Sequence, residues 1–228
     1  MPNAFNKIIE TTETGIPVLY EDNHLLVVVK PACVPVQADE SGDPALLDLC
    51  KEYIKKKYNK PGNVFLGLVH RLDRPVSGVI VFARTSKAAS RLSNQFRKHD
   101  TKKSYLALCE GSLKKQATLI DYLERKERHS FVSTKAKGKQ AELSYHLLKS
   151  EKNINMIEID LKTGRHHQIR VQFSSRGNSL LGDFRYGSKV KFPNKSIALH
   201  SHQLTIFHPT SKKELTFTAE PPLNWPIH

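Results

Sequence analysis

The apolar segments of this sequence are short, and the spacing of apolar residues within them changes from alternating to helical along the chain. Alternating or β-branched residues predict strands at residues 17–20, 25–30, 64–72, 79–83, 104–109, 141–148, 155–161, 197–207 and 214–219. Apolar residues at helical spacing predict helices over residues 45–58, 86–99 and 164–176. Short strands mixed with helices are typical of the α+β class, so we expect one central sheet, mixed or mostly antiparallel. We expect one domain over residues 16–222, between a polar N-terminal tail at 1–15 and a C-terminal tail at 223–228.

The chain is strongly basic. Its 228 residues include 36 Lys and Arg against 22 Asp and Glu, a formal net charge of +14. The surplus cations cluster within residues 51–60, 87–103, 162–176 and 185–195. A single lysine in such a cluster is often only part of a solvated helix face. Four clusters together indicate a polyanionic partner, so we expect a groove that follows an RNA or DNA backbone.

Several other classes of protein are excluded. No run approaches the roughly 18 apolar residues of a membrane-spanning helix. A membrane-surface protein would need an apolar helix stripe with Trp, whereas the lone Trp225 lies in a Pro-rich stretch. Cys33, Cys50 and Cys109 are odd in number and form no CxxC pair. This argues against a disulfide scaffold and a cysteine zinc cluster, and for a reducing, cytoplasmic compartment.

One predicted turn carries a lone acidic residue among cations. Asp73 lies within residues 68–81, and its neighbours include His70, Arg71 and Arg74. Nearby positive charge lowers the pKa of a carboxyl group, so we expect Asp73 to be ionised. A Pro and a Gly in the same turn fix the direction of the carboxylate. The alternative is an ordinary surface loop whose Asp–Arg pair contributes little to stability.

The same turn resembles a known family signature. His70-Arg71-Leu72-Asp73, followed by Ser77-Gly78, is similar to the HRLDxxTSG motif of the RluA family of pseudouridine synthases. Four further segments resemble that family in the same order: Tyr20-Glu21-Asp22 through Lys30-Pro31-Ala32, Lys103-Ser104-Tyr105-Leu106-Ala107, Thr163-Gly164-Arg165-His166-His167-Gln168-Ile169-Arg170, and Gly182-Asp183 through Tyr186-Gly187. The likeness extends over most of the chain.

Four positions depart from the family pattern. Val76 stands where the family usually has Thr, Val29 where it has Asn, Cys33 where it has Gly, and Gln172 where His is common. The family's chemistry depends on none of these residues, so the departures bear on substrate detail. The chain also starts close to the first hairpin. We therefore expect a catalytic domain that recognises RNA without the extra N-terminal RNA-binding domain of many relatives.

The resemblance implies the pseudouridine synthase fold with an RNA-binding cleft, and an enzyme that isomerises uridine in ribosomal or transfer RNA. A C5–C1′ bond replaces the N1–C1′ glycosidic bond, and Asp73 is the expected nucleophile. The sequence leaves open whether Asp73 bonds to C1′, adds to C6 or first removes a 2′ proton. A uridine inside a stem cannot reach such a pocket, so we expect a target that is flipped out or lies in a loop.

The resemblance also implies roles for individual residues. Arg170 would pair with Asp73 and keep it charged; the alternative is a phosphate contact. Tyr105 would stack on the uracil and assist proton transfer from C5; the alternative is a core aromatic. Arg71 would fill the space that the flipped base leaves. The RNA backbone would be held by Lys30, Lys103, Arg165 and the basic helix at residues 86–99.

We expect no metal, no cofactor and no obligate protein partner, and we expect a monomer. The histidines show no familiar metal-ligand spacing with a carboxylate; they include His166, His167, His200, His202 and His208. The competing hypothesis is a catalytically inactive, basic RNA-binding protein of the same fold. The intact Asp73, Tyr105 and Arg170 argue against it.

Overall fold

The computed structural model describes residues 3–223 and residue 225. The chain folds into two compact units, one drawn from residues 1–101 and 201–220 and the other from residues 102–200 and 221–228. Each unit combines strands with at least one helix, as the predicted α+β class requires.

The first unit joins the beginning of the chain to its last two strands. Its strands are β1 (Asn3–Phe5), β2 (Glu10–Thr11), β3 (Pro17–Glu21), β4 (Leu25–Lys30), β5 (Gly67–Leu68), β6 (Ser77–Ala83), β12 (Leu199–Phe207, from residue 201 onward) and β13 (Glu214–Thr218). Its helices are α1 (Leu46–Lys57) and α2 (Ser86–Lys98).

The sheet of this unit is mixed. The strand order is β2-β3-β4-β6-β12, with β13 beside β12 and β5 beside β6. The β3–β4, β4–β6 and β12–β13 pairs are antiparallel, as predicted for the first hairpin and the closing strands, whereas β1 runs parallel to β13. Alternate residues of β4 and β6, such as Val27 and Val81, form one buried core with Leu92 of α2.

Helix α2 has a side-chain cap at its N-terminus and a fixed position. Thr85 Oγ1 accepts a hydrogen bond from the backbone N–H of Ala88 at 3.1 Å. The helix ends at His99, whose φ of 61° is left-handed. The Gln95 side chain both donates to and accepts from the backbone of Phe207, at 2.7 and 2.9 Å, which ties α2 to β12.

The second unit has one antiparallel sheet and one short helix. Its strands are β7 (Lys102–Glu110), β8 (Gln116–Lys126), β9 (His129–Ser133), β10 (Lys139–Glu151) and β11 (Ile154–Leu161), and its helix is α3 (Gln168–Ser174). The order is β7-β11-β10-β8-β9. Strands β8 and β9 lie in a charged section where the sequence predicted no element, because exposed charges interrupt the alternating apolar pattern.

Three predictions need correction. Residues 64–72 form a strand only at Gly67–Leu68. The predicted N-terminal tail contains β1 and β2, which pair with β13 and β3. In the predicted C-terminal tail, Trp225 is buried against a cluster that includes Leu108 and Phe192, while residues 224 and 226–228 lie outside the described residues.

Candidate active site

The Asp73 carboxylate lies in a tight turn that leads into β6. The backbone N–H of Val76 donates to the Asp73 carbonyl at 3.0 Å and closes the turn. Gly78 has a φ of 118°, and a Cβ there would lie 2.3 Å from the Ser201 carbonyl oxygen, so only glycine fits. Asp73 is half-buried and Arg71 is exposed. The turn therefore has a fixed backbone, and it carries one carboxylate residue at a partly exposed position.

His70 fixes the backbone immediately before this turn. Its Nε2 accepts a hydrogen bond from the Val81 backbone N–H at 3.0 Å. Its ring stacks on Phe96 with the centroids 4.5 Å apart. The side chain takes a hydrogen bond that a neighbouring strand would otherwise accept, which is one reason that the predicted strand over residues 64–72 stays short.

Lys30 does not fit its predicted contact with the RNA backbone. The side chain is fully buried, and Nζ donates to the carbonyl oxygens of Pro31, Val34 and Arg74 at 2.9, 2.8 and 3.0 Å. Burial lowers its pKa to about 7, and the electrostatic influence of Cys33 and Asp73 opposes this shift. Lys30 thus connects the end of β4 to the Asp73 turn, a structural role instead of a substrate contact.

A second set of contacts connects the following loop to the same turn. The Arg74 carbonyl accepts from the Cys33 N–H at 2.8 Å, and Arg74 Nε donates to the Cys33 carbonyl at 3.1 Å. The Arg74 guanidinium also pairs with Asp39 and Asp43. Cys33 replaces the glycine that the family usually has, yet its φ is 68°, a left-handed conformation that a Cβ disfavours.

In the second unit, Tyr105 and Lys103 lie on β7. Tyr105 is 8% exposed and lies opposite Ile159 of β11. Lys103 is half-buried, and burial lowers its pKa. A Cβ added at Gly164 would lie 3.7 Å from Lys103 Nζ, so the lysine terminus lies beside the loop that leads to α3.

The loop before α3 is held by its own side chains. Gln168 Oε1 accepts from Thr163 Oγ1 at 2.7 Å and from the Arg165 N–H at 3.0 Å. Arg165 Nε donates to the Gln140 carbonyl at 2.8 Å. His167 adopts a φ of 54°, so α3 begins at Gln168 and not at residue 164 as predicted. Lys103 and Arg165, both predicted to hold RNA, are therefore brought close together in this unit.

Arg170 forms a buried, bidentate ion pair with Asp183. Arg170 Nε donates to Asp183 Oδ2 at 2.7 Å, and Nη2 donates to Oδ1 at 2.8 Å. The side chains are 6% and 1% exposed. The planar guanidinium matches both carboxylate oxygens at once, which fixes its orientation. Asp183 lies in the family-like motif at residues 182–187, which predicted no role for it. The pairing of Arg170 with Asp73 stays a prediction.

Tyr186 lies against the same arginine. Its ring centroid is 5.0 Å from the Arg170 guanidinium carbon. Tyr186 Oη accepts from the Ser130 N–H at 3.0 Å and lies 2.8 Å from His167 Nδ1. Burial, reinforced by the charge of Arg170, lowers the pKa of His167 to about 2. His167 is therefore neutral, and one hydrogen bond joins its Nδ1 to the Tyr186 hydroxyl.

The segment that supplies Asp183 and Tyr186 is one short 3-10 turn. Gly182 and Gly187 have φ values of 80° and 91°, and a Cβ at Gly182 would lie 2.3 Å from the Ser196 carbonyl oxygen. The Tyr186 and Ser188 N–H groups both donate to the Asp183 carbonyl, at 3.0 and 3.1 Å. The two glycines of this motif are thus the sequence signal for a rigid turn that holds Asp183 and Tyr186 beside Arg170.

Two further residues that depart from the family pattern are buried. Val76 is 2% exposed in the Asp73 turn. Gln172 is fully buried and donates to Asp121 Oδ2 at 2.7 Å, while its Oε1 accepts from Gln168 Nε2 at 3.0 Å. Gln172 therefore extends the hydrogen-bond network of α3 without contributing a titratable ring.

The described residues form neither a cluster suited to a metal ion nor a membrane-spanning helix. Across residues 3–223 and 225, no cluster of three or more His, Cys, Asp or Glu side chains is placed to hold a metal ion. In the same part of the chain, no helix has both the length and the apolar character needed to cross a membrane.

Comparison with known proteins places the chain in a family. Residues 24–175 match the family model for RNA pseudouridylate synthase. The chain is 35% identical over 227 residues to ribosomal large subunit pseudouridine synthase D of Zymomonas mobilis, covering 93% of this chain and 71% of the relative. It is 31% identical over 217 residues to the dual-specificity RNA pseudouridine synthase RluA of Haemophilus influenzae, covering 91% and 94%.

Solved structures agree on the fold. Human RNA Pseudouridylate Synthase Domain Containing 4 superposes with a TM-score of 0.75 at 21% identity, covering 90% of this chain and 88% of that chain. The chain therefore belongs to the RNA pseudouridylate synthase family, within the RluA group that the motifs predicted. It is an RNA pseudouridine synthase, an isomerase that acts on RNA.

Proposed function

We propose that this enzyme converts specific uridines of a structured ribosomal or transfer RNA to pseudouridine, with Asp73 as its nucleophile. The half-buried Asp73 supports this most directly, because two backbone carbonyl groups of its turn are held. The Asp73 carbonyl accepts from the Val76 N–H, and the Arg74 carbonyl accepts from both Lys30 Nζ and the Cys33 N–H. A nucleophile must be aimed before the substrate arrives, and a turn braced in this way meets that requirement.

The proposed reaction needs no oxidant, reductant or group donor. The N1–C1′ bond of the target uridine breaks, the uracil rotates within the pocket, and a C5–C1′ bond forms. C5 loses its proton and N1 gains one, so the product is an isomer. Asp73 stabilises the separated sugar and base by bonding to the substrate, and Arg170 holds Asp73 in its ionised form.

Tyr105 is proposed to stack on the uracil and to take part in removing the C5 proton. Its buried position on β7 supports a pocket that is closed on one side and shields the intermediate from water. The target uridine must leave its stack, and the exposed Arg71, two residues before Asp73, is suited to fill the vacated space.

Lys103, Arg165 and the basic face of α2 are proposed to contact RNA phosphates. The closeness of Lys103 to the loop of Arg165 supports a local cationic surface. The net charge of +14 supports RNA, a polyanion, as the partner of that surface. We further propose that the enzyme acts as a monomer in the cytoplasm, in line with its three cysteines that form no CxxC pair.

The test uses total RNA from cells that lack this protein, labelled with tritium at C5 of uridine. The native enzyme should release tritium to water, and Asp73→Asn should slow release at least 1,000-fold while it still binds the RNA. The matched control is Asp48→Asn, which removes an exposed carboxylate of α1 that pairs with Lys51. That variant should retain native activity.

Two outcomes would contradict the proposal. Equal tritium release by native enzyme and Asp73→Asn would show that Asp73 is not the nucleophile. Binding of RNA with no release by either protein would favour the inactive RNA-binding hypothesis.

A further inference from the structure

We propose that Asp183 is a positioning residue for catalysis, which holds the guanidinium of Arg170 in its working orientation before RNA binds. This inference rests on the proposed function, in which Arg170 holds the nucleophile. Arg170, Asp183 and Tyr186 all lie in the second unit.

Asp183 restricts the orientation of the Arg170 guanidinium. Asp183 bonds the Nε and Nη2 edge of the guanidinium through two hydrogen bonds of 2.7 and 2.8 Å. A bidentate pair of this kind removes rotation about the terminal bonds of the arginine. Asp183 thereby sets the direction in which the second edge of Arg170 points.

The second step concerns the face of the guanidinium. The Tyr186 ring lies 5.0 Å from its carbon, and the Tyr186 hydroxyl is fixed by Ser130 and His167. Arg170 is thus held along one edge by a carboxylate and on one face by an aromatic ring. An arginine side chain otherwise has several rotatable bonds, whose ordering would cost free energy during the reaction.

The third step concerns charge. Asp183 is 1% exposed, and a carboxylate this deeply buried is stable only with a compensating cation. Arg170 supplies that cation, so the pair is neutral as a unit. Loss of the Asp183 charge would leave Arg170 buried, uncompensated and free to turn toward other acceptors.

The experiment measures single-turnover tritium release from the C5-labelled RNA with enzyme in excess. This separates the maximal rate from the enzyme concentration that gives half of it. Asp183→Asn should lower the maximal rate about 100-fold, the effect of a misdirected catalytic group. It should change the half-saturating concentration less than threefold, because Asp183 is too buried to meet the RNA.

The matched control is Asp121→Asn, which removes the carboxylate that pairs with Arg176 at 2.9 Å in the same unit. It should lower the maximal rate less than threefold. A rate for Asp183→Asn within threefold of native overturns the proposal. So does a loss of rate that is matched by an equal loss of RNA binding, because that is the result of a purely structural defect.

A measurement on the native enzyme keeps the proposal testable if Asp183→Asn does not fold. The Nε–H of Arg170 should give a resonance that exchanges slowly with water in the absence of RNA, whereas that of the half-exposed Arg165 should exchange fast. Equal exchange rates would overturn the proposal. Failure of the proposed function itself gives a different result, namely undiminished release by Asp73→Asn or none by the native enzyme.

Discussion

The two units each contain a buried cation, and the two cations are compensated in different ways. Lys30 in the first unit donates to three neutral carbonyl oxygens, whereas Arg170 in the second unit is matched by the full negative charge of Asp183. Carbonyl dipoles compensate burial less completely than a carboxylate does, so burial lowers the pKa of Lys30.

The difference separates two ways in which a buried positive charge is bonded. The three N–H groups of the Lys30 ammonium match three carbonyl groups of the surrounding backbone, so it serves to connect segments. The guanidinium of Arg170 has five N–H groups in a fixed plane, and Asp183 engages two of them. An arginine held on one edge can therefore position a second carboxylate, and a lysine bonded in this way cannot.

The largest effect that tests this comparison is on stability in the first unit. Lys30→Met should lower the free energy of unfolding by about 3 kcal/mol at pH 9, because the surrounding backbone carbonyl groups lose their hydrogen-bond donor. The folded pKa of about 7 lies below the unfolded value of 10.5. The unfolded chain therefore binds more protons between these values, and native stability rises with pH across that window.

Urea unfolding at pH 7.5 and pH 9 checks both statements. The difference in free energy of unfolding between native protein and Lys30→Met should grow by about 2 kcal/mol over this interval. The control is Lys55→Met, which changes an exposed lysine of α1. A difference that is constant or that shrinks with pH would show that Lys30 is not compensated by neutral dipoles alone.

An effect of intermediate size is expected on stability in acid, at His167 beside Arg170. The pKa of His167 falls from 6.5 to about 2, so the unfolded chain takes up a proton near pH 6 and the folded chain does not. Native stability should therefore fall by about 2 kcal/mol between pH 6.5 and 4.5, and His167→Asn, which suits a left-handed backbone, should reduce this fall.

The control for this prediction is His99→Asn, an exposed histidine that also has a left-handed backbone. It should leave the acid sensitivity unchanged in urea unfolding at the two pH values. If both variants behave alike, His167 is not the source of the acid sensitivity, and its burial does not keep it neutral.

The smallest expected effect concerns the loop beside Lys30. Cys33→Gly should raise the free energy of unfolding by about 0.5 kcal/mol, because glycine adopts a φ of 68° without the penalty of a Cβ but loses more entropy on folding. Cys33→Ala retains the Cβ and should give no gain. Equal stability of the two variants in thermal unfolding would show that this residue carries no strain.

Several features of this protein were predictable from local sequence. The hairpin of β3 and β4, both long helices and the closing strands follow from apolar spacing, and Thr85 marks the start of α2. Ordered motifs identified the family and with it the candidate residues Asp73, Tyr105 and Arg170. These signals are local, because hydrogen bonding and side-chain spacing within one element determine them.

Other features depended on residues far apart in the chain. In the sequence, Lys30 is one lysine among many in a basic protein, and it was predicted to contact RNA. Only folding surrounds its ammonium group with the carbonyl groups of residues 31, 34 and 74, and this gives it a structural role. Likewise, 13 positions separate Arg170 from Asp183, and their ion pair requires α3 and the following turn to meet. Composition determined the kind of partner, whereas burial decided which charges can reach it, because only tertiary packing removes a side chain from water.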